Sequence, residues 1–231
     1  MADLPELTFY KEYPKSCDPE DFWGQVKRTI NNQPVPQGQI DMIVHSTATA
    51  LELSKKDILL DLCCGNGALT TYFFEYCSGG TGVDFSEYLI DVAHKYFLKG
   101  PNEKYILQDV LDFATNYPDP EHFNKALCYG SIQYLPRDKA HDLLSLIRKR
   151  FTGLNIFFIG NIPDRKFVKS FFGNNYKPGI EDSPASAIGI WWSQDEFYYL
   201  TKTSGWNMKI HIMPKEFHWS NYRYDAVLTP A

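Results

Sequence analysis

Short apolar runs alternate with longer amphipathic stretches along the chain from Asp57 onward. This alternation is typical of a parallel sheet whose strands are joined by crossover helices. Runs of about five residues, each bounded by Gly, Asn, Asp or Pro, predict strands at 58–62, 81–84, 104–107, 125–129 and 155–160. Apolar positions at helical spacing between these runs predict helices at 68–76, 87–97 and 137–151.

The last forty residues follow a different pattern. A polar run that begins at Ser193 opens a predicted helix ending near Gly205, and two strands are expected at 208–213 and 223–228. Because no helix separates these two strands, they are expected to pair antiparallel. The sequence therefore predicts an α/β fold with a seven-stranded, mostly parallel sheet, helices on both faces and an antiparallel final strand.

Two segments fall outside the alternating pattern. Residues 1–54 precede the first predicted strand and are interpreted as an N-terminal helical cap over the sheet edge or cleft, with residues 55–231 forming the core. Residues 161–192 are rich in the turn-forming residues Gly, Asn, Pro and Ser. Long irregular loops are often functional, so this segment is expected to be an insertion on the substrate side.

Composition agrees with one compact domain, since the 231 residues are 44% hydrophobic and 22% charged. The net charge of −5 and the lack of a long Lys/Arg run exclude a broad phosphate-binding surface, so nucleic acid is not an expected partner. No apolar run approaches about 18 residues, so we expect no membrane contact and a cytoplasmic location. Five cysteines without a C-x-x-C pair predict reduced thiols and no metal site.

One segment carries most of the chemical information. An apolar strand ends at Asp61 and passes into a tight turn that contains Gly65 and Gly67 and opens a helix. At the carboxyl end of such a strand, glycines let the backbone approach a ligand, and the helix N-terminus offers free N–H groups. Asp84 ends the next predicted strand 23 residues later, and Asp109 follows the third. Adjacent strand ends line one crevice, so the three acids are expected to lie together.

A dinucleotide is one ligand that such a turn could bind, but its fingerprint requires G-x-G-x-x-G. Here the run that starts at Gly65 ends in Thr70 instead of glycine, and Asp61 beside the turn would repel a pyrophosphate. A cationic or uncharged ligand therefore fits the turn better.

Three segments, 60–67, 82–86 and 108–110, resemble the cofactor motifs of class I S-adenosylmethionine-dependent methyltransferases. The resemblance covers about residues 55–160 and implies a Rossmann-like sheet. It also implies that Asp61 lies near the amino-acid end of S-adenosylmethionine, that Asp84 accepts from the ribose hydroxyls, and that Asp109 accepts from the adenine amine. The cofactor-binding residues expected on this basis are Asp61, Cys63, Gly65, Gly67, Asp84, Phe85, Gln108, Asp109, Val110, Tyr129, Gly130 and, from the cap, Tyr13. The turn departs from the usual D-x-G-x-G-x-G at Cys63, which stands in place of the first glycine.

The resemblance implies methyl transfer from S-adenosylmethionine, with S-adenosylhomocysteine as product. No N/D-P-P-Y/F motif follows the fourth predicted strand, which weakens an amino-methylating function on nucleic acid or glutamine. The expected acceptor is a small metabolite methylated at a hydroxyl or other oxygen, such as a sugar, a glycan precursor or a natural-product intermediate. Two alternatives stay open: a non-catalytic scaffold or regulator that binds the cofactor, and an NAD or nucleotide-sugar enzyme on a similar sheet.

The acceptor side offers weaker signals. His218 is the first candidate for a general base, because histidine titrates near neutrality and its turn is expected to face the crevice. The candidates for substrate contacts are Asn161, Arg165, Tyr176 and Trp219. The oligomeric state stays open.

Overall fold

The computed structural model describes residues 5–231, with side chains from Phe9 onward, and shows one large sheet between two helical layers. In chain order the elements are α1 (Pro5–Glu12), α2 (Phe22–Gln25), β1 (Thr29–Ile30), β2 (Gln33–Pro34), α3 (Gln37–Ala50), β3 (Leu59–Leu62), α4 (Thr70–Phe74), β4 (Gly80–Asp84), α5 (Glu87–Val92), β5 (Glu103–Leu107), α6 (Val110–Asn116), β6 (Lys125–Tyr129), α7 (Arg137–Arg150), β7 (Ile156–Pro163), α8 (Val168–Phe172), α9 (Gln194–Thr203), β8 (Trp206–His211) and β9 (Arg223–Pro230).

The seven strands of the large sheet lie in the order β5-β4-β3-β6-β7-β9-β8. Strands β3 to β7 are parallel, and β9 pairs antiparallel with both β7 and β8. The predicted fold class is therefore confirmed. Every residue of β3, β4 and β6 is buried, as expected of central strands that helices cover on both faces.

Alternate residues of each strand face opposite helical layers. Leu60 and Leu62 belong to the core under α6, α7 and α9, whereas Leu59 belongs to the core under α3, α4 and α5. Asp61, between Leu60 and Leu62, consequently faces the α3–α5 layer. Among the helices of the described chain, none is long and apolar enough to span a membrane.

The structure differs from the predicted elements in several places. Strand β7 runs to Pro163, into the predicted insertion, and α5 is α-helical only as far as Val92, five residues before the predicted end. Within the predicted helical cap, residues 33–34 form β2, which pairs with β1 around a two-residue turn. Asn31 (φ 51°) and Asn32 (φ 59°) both adopt the left-handed conformation that such a turn requires, and asparagine tolerates it. Helix α6 was not predicted, because only three buried apolar positions mark it and its length is seven residues.

The segment between β7 and α9 is held to the core by ion pairs. Asp182 accepts from Arg137 Nη2 at 2.8 Å and from Arg165 Nη2 at 2.6 Å. Arg165 Nη1 also donates to Glu196 Oε1 at 2.7 Å, while the guanidinium of Arg137 lies over the Trp192 ring. Charges from α7, α9 and the inserted segment therefore fix the path of this long connection.

We expect Asp182→Ala to loosen the inserted segment, because it removes the acid shared by two arginines. The free energy of unfolding should fall by about 1 kcal/mol, the upper end for exposed ion pairs, since this pair belongs to a network. Limited proteolysis should cut within residues 164–192 faster than in the wild type. Asp142→Ala, which breaks only the exposed pair with Lys139, is the matched control. Equal cleavage of both variants would contradict the role of Asp182 in holding this segment to the core.

Candidate active site

The turn after β3 has three residues in the left-handed region, Cys63 (φ 59°), Gly65 (φ 60°) and Gly67 (φ 77°). Cys63 thus adopts the conformation that the usual glycine would take, at a steric cost of roughly 1–2 kcal/mol. A Cβ on Gly67 would lie 2.9 Å from the ring of Tyr105, so this position has no room for a side chain. The turn therefore has a left-handed residue at each of the three positions that the motif reserves for glycine.

Asp84 joins the end of β4 to this turn. Its Oδ2 accepts from the backbone N–H of Gly65 at 2.9 Å, and its Oδ1 accepts from that of Ser86 at 2.9 Å. Burial raises the pKa of Asp84 to about 6, although the backbone N–H donors oppose this shift. Each carboxylate oxygen retains a lone pair, so the group can accept further hydrogen bonds from a ligand.

Asp61 is buried at the carboxyl end of β3, beside the same turn. Thr70 Oγ1 donates to its Oδ2 at 2.6 Å. Burial raises the pKa of Asp61 to about 7, and Asp84 adds to the rise, while Thr70 and the charge of Arg28 oppose it. Two carboxylates with raised pKa values therefore share one low-dielectric edge of the sheet.

The third expected acid, Asp109, follows β5, next to β4. The backbone N–H of Gln108 donates to the carbonyl of Asp84 at 2.9 Å, which brings the two strand ends together. Asp109 also caps α6, because its Oδ1 accepts from the backbone N–H groups of Leu111 and Asp112. Its proposed contact with adenine stays a prediction.

Phe85 and Val110, two of the expected cofactor-binding residues, lie in different environments. Phe85 is half-buried, with Lys11 Nζ 5.6 Å from its ring centroid. Val110, the first residue of α6, is buried in the core under α6, α7 and α9.

The N-terminal segment is tied to the glycine turn. Asn66 Nδ2 donates to the Phe22 carbonyl at 2.8 Å and to Gln25 Oε1 at 2.9 Å. A Cβ on Gly65 would lie 3.0 Å from Val26. Tyr13, expected on the cofactor, stacks with Phe9 and has Lys27 Nζ 3.6 Å from its ring centroid.

Arg28 is a site residue that the sequence did not reveal. Its guanidinium carbon lies 5.3 Å from the Tyr129 ring centroid, and the negative charge of Asp61 acts on it. Burial lowers the pKa of Arg28. Within residues 9–231, no hydrogen bond or ion pair engages this guanidinium, although both Asp61 and Tyr129 lie near it. Its only sequence signal is a single arginine close to Trp23 in an otherwise unassigned segment.

The end of β6 lies beside the irregular part of β7, where Asn161 adjoins Tyr129 and Gly130. Gly130 (φ 74°) follows β6, and a Cβ there would lie 3.4 Å from Asn161 Nδ2 and 3.9 Å from Arg28 Nη2. Gly160 lets the Tyr129 ring cross β7, since a Cβ at Gly160 would lie 2.3 Å from that ring. Asn161, the first of the expected substrate contacts, therefore adjoins the cofactor crevice.

Asp225 on β9 is the second residue of this region that the sequence did not reveal, and it is a buried acid. Its Oδ1 accepts from the backbone N–H of Asn161 at 2.6 Å, and it is 1% exposed. Arg223 Nη1 donates to the Asn161 carbonyl at 2.5 Å. The available signal was an acid between Tyr224 and Ala226 in an apolar strand, a pattern that marks an inward-facing carboxylate.

Two other substrate candidates lie in the inserted segment. Arg165 is engaged by Asp182 and Glu196, and Tyr176 Oη donates to Glu181 Oε1 at 3.1 Å. These contacts fasten the insertion to itself and to α9. A substrate role for Arg165 or Tyr176 stays a prediction.

His218 and Trp219 lie on the turn between β8 and β9. The His218 side chain is exposed, its backbone N–H donates to Gln39 Oε1 at 2.7 Å, and its ring lies against Trp219. This turn is at the carboxyl end of β8, which runs parallel to β7, so it is on the expected side of the sheet. The assignment of His218 as a base stays a prediction.

No group of three or more His, Cys, Asp or Glu within the described residues is arranged to hold a metal ion. The five cysteines are all free thiols. A hydrogen bond with Cys128, together with burial, raises the pKa of Cys63 well above its usual value. The thiol of Cys63 in the turn therefore packs against that of Cys128 in β6.

Comparisons with known proteins point to one activity class. A family model described as "Methyltransferase domain" matches residues 59–151. An uncharacterized methyltransferase of Schizosaccharomyces pombe, C70.08c, is 33% identical over 112 residues, which are 47% of this chain and 40% of that protein. The chain thus spans less than half the length of this curated relative.

Solved structures share the fold over most of the chain. The magnesium protoporphyrin IX methyltransferase of Synechocystis with bound S-adenosylhomocysteine superposes with a TM-score of 0.65, at 13% identity and 97% coverage of both chains. A putative methyltransferase of Haloferax volcanii in complex with the activator Trm112 superposes with a TM-score of 0.61, at 16% identity, over 84% of this chain and 92% of that one. Residues 59–151 therefore match a methyltransferase domain, and the sheet and the glycine turn share the fold of these solved methyltransferases.

Proposed function

We propose that the protein transfers a methyl group from S-adenosylmethionine to a hydroxyl or other oxygen of a small metabolite. The observation that carries this proposal is the pair of buried acids, Asp61 and Asp84, on either side of a left-handed glycine turn. Buried carboxylates with raised pKa values are costly to keep unless a ligand uses them.

The residues present fit this cofactor. Asp84 offers carboxylate lone pairs for ribose hydroxyls, and Asp61 offers a negative charge for the ammonium group of the methionine end. Arg28, whose guanidinium makes no hydrogen bond or ion pair within residues 9–231, would take the carboxylate of that same end.

When bound, the cofactor supplies an electrophilic methyl group on a sulfonium. The chain's own contribution is to hold the acceptor in line with that carbon and to exclude water. We propose that residues 1–54 act as the cap that closes the crevice and that residues 161–192 lie on the substrate side. Tyr10 of α1 packs on Tyr134 after β6, with ring centroids 4.9 Å apart, which supports a covered site suited to a small acceptor.

We expect Asp84→Ala to weaken S-adenosylmethionine binding by about 1–3 kcal/mol, because the ribose hydroxyls lose a buried acceptor. Isothermal titration calorimetry measures this change, and circular dichroism checks that the variant stays folded. Asp112→Ala, which removes an exposed carboxylate from α6, is the control. Unchanged affinity in folded Asp84→Ala protein would remove the ribose assignment.

We expect Arg28→Met to weaken S-adenosylmethionine and S-adenosylhomocysteine binding by about tenfold or more, because a charge-assisted bond to the carboxylate is lost. Binding of 5′-methylthioadenosine, which lacks the amino-acid end, should stay within about twofold of the wild type. Lys15→Met, at an exposed lysine paired with Glu12, is the control. An equal loss for all three ligands would indicate that Arg28 supports the cap and does not bind the carboxylate.

We expect S-adenosylmethionine affinity to rise between about pH 5.5 and 8. Asp61 and Asp84 titrate in the free protein near 7 and 6, and the positively charged cofactor binds their ionised forms more tightly. Binding at about pH 6.5 should therefore release protons, which calorimetry in buffers of different ionisation enthalpy detects. Asp61→Asn should release fewer protons than the wild type. A pH-independent affinity would contradict the raised pKa values.

A further inference from the structure

The pairing of β7 with β9 is interrupted beside the crevice. The register shifts between Ile159 and Ile162, and Asn161 at the shift has a φ of 64°. Its backbone N–H donates to the side chain of Asp225, so a carboxylate replaces a ladder partner there. The left-handed residue and the register shift interrupt the ladder, and such irregularities are over-represented next to active sites.

Four buried polar atoms around this irregularity have no partner among the described residues: Asp225 Oδ2, Asn161 Oδ1, Tyr129 Oη and Arg223 Nε. Buried polar groups are almost always hydrogen-bonded, and a buried carboxylate oxygen is the most costly to leave alone. The first two atoms can only accept. The group that would satisfy them is therefore a hydrogen-bond donor.

These atoms lie on the cofactor side of the sheet. Asp225 alternates with Ala226, which faces α6, α7 and α9, so Asp225 faces the same layer as Asp61. Tyr129, at the end of β6, stands between the two acids in the strand order. The amide of Asn161 is also the nearest neighbour of the Cβ position of Gly130, with Arg28 next. This cluster of polar atoms thus continues the proposed cofactor crevice toward β9.

We propose that Asn161 and Asp225 form the acceptor subsite, in which Asp225 Oδ2 binds the O–H or N–H group that is methylated and takes its proton. This inference rests on the proposed function and deepens it. The acceptor's oxygen or nitrogen forms a bond to the methyl carbon, the carbon–sulfur bond of the sulfonium donor breaks, and the proton passes to Asp225 and then to solvent. A carboxylate acceptor is disfavoured, because it would place a second anion against Asp225.

The charge environment suits a proton acceptor. The titratable groups that face Asp225 are Arg223 on its own strand, Tyr129 on β6 and His211, its cross-strand partner on β8. His211 is occupied by Ser46 of α3, which lies 2.7 Å from its Nε2. Burial raises the pKa of Asp225 to about 7, while the Asn161 N–H and Arg223 oppose the rise. A base that titrates near neutrality is effective at working pH.

The test compares Asp225→Asn with the wild type and with Asp57→Asn, all in the full chain. The amide oxygen that Asp225→Asn introduces would still accept from the Asn161 N–H, whereas Asp57 is a buried acid fully bonded to Ser54 and Asn124 away from the crevice. Burial raises the pKa of Asp225 in the folded protein, so folding favours its protonated form. This stabilisation is complete below the pKa of the unfolded chain and is lost as the pH rises toward 7. Asp225→Asn should therefore melt higher than the wild type at about pH 8, by about 3 °C or more, and approach it below about pH 5. Asp57→Asn should melt lower at both pH values.

Activity and cofactor binding complete the test. With labelled S-adenosylmethionine and a small-molecule fraction of cell extract as acceptor pool, Asp225→Asn should lose at least about 100-fold in methyl incorporation, while its affinity for S-adenosylmethionine changes less than about threefold. A lower melting temperature at about pH 8, like that of Asp57→Asn, would make Asp225 a structural acid and overturn the inference. Loss confined to His218→Ala, with Asp225→Asn at the wild-type rate, would return the base to His218. A wild type that binds the cofactor but incorporates no label would instead overturn the proposed transfer.

Discussion

The burial of carboxylates at the carboxyl edge of a parallel sheet is the constraint on which the rest of this structure depends. Asp61, Asp84 and Asp225 are each at most 5% exposed, and burial raises the pKa of all three. Backbone N–H groups and one threonine hydroxyl hold them, and within residues 9–231 none of the three takes part in an ion pair. Such an arrangement sacrifices stability for a site that favours cationic and hydrogen-bond-donating ligands.

The N-terminal segment completes this site from outside the sheet. Asn66 links the glycine turn to α2, so the cap and the turn form one hydrogen-bonded unit. Arg28 of the same segment lies near Asp61 and Tyr129. Its positive charge partly offsets the negative charge of Asp61. The N-terminal segment therefore contributes a positive charge beside Asp61.

The sheet and its glycine turn are shared with solved methyltransferases, whereas the irregular parts of this chain carry our proposal for the acceptor. Solved methyltransferases that superpose on the chain are only 13–16% identical, so likeness of fold carries no information on what is methylated. The register shift in β7 and the acids and arginines around it belong to this chain's own sequence. They are the features from which an acceptor class can be argued.

The sequence by itself determined the seven strands of the sheet, most of the helices between them, and the glycine turn. These features depend on local patterns: apolar runs that must be buried on both faces, and Gly65, Gly67, Asp61 and Asp84 at spacings set by one crossover unit. The strand of Lys125–Tyr129 matched its predicted bounds, because a short buried strand begins and ends where its apolar run does.

Only the tertiary structure decided which residues join that turn from far along the chain. Arg28 comes from the cap and Asp225 from the penultimate strand of the sheet, and neither belongs to a local motif. Their roles arise because β9 inserts between β7 and β8 and because the cap packs on Asn66. Arg165 shows the converse, since its partners Asp182 and Glu196 are brought to it by the folded insertion. Long-range packing brings together side chains whose separation in sequence carries no periodic signal, so local patterns cannot predict these contacts.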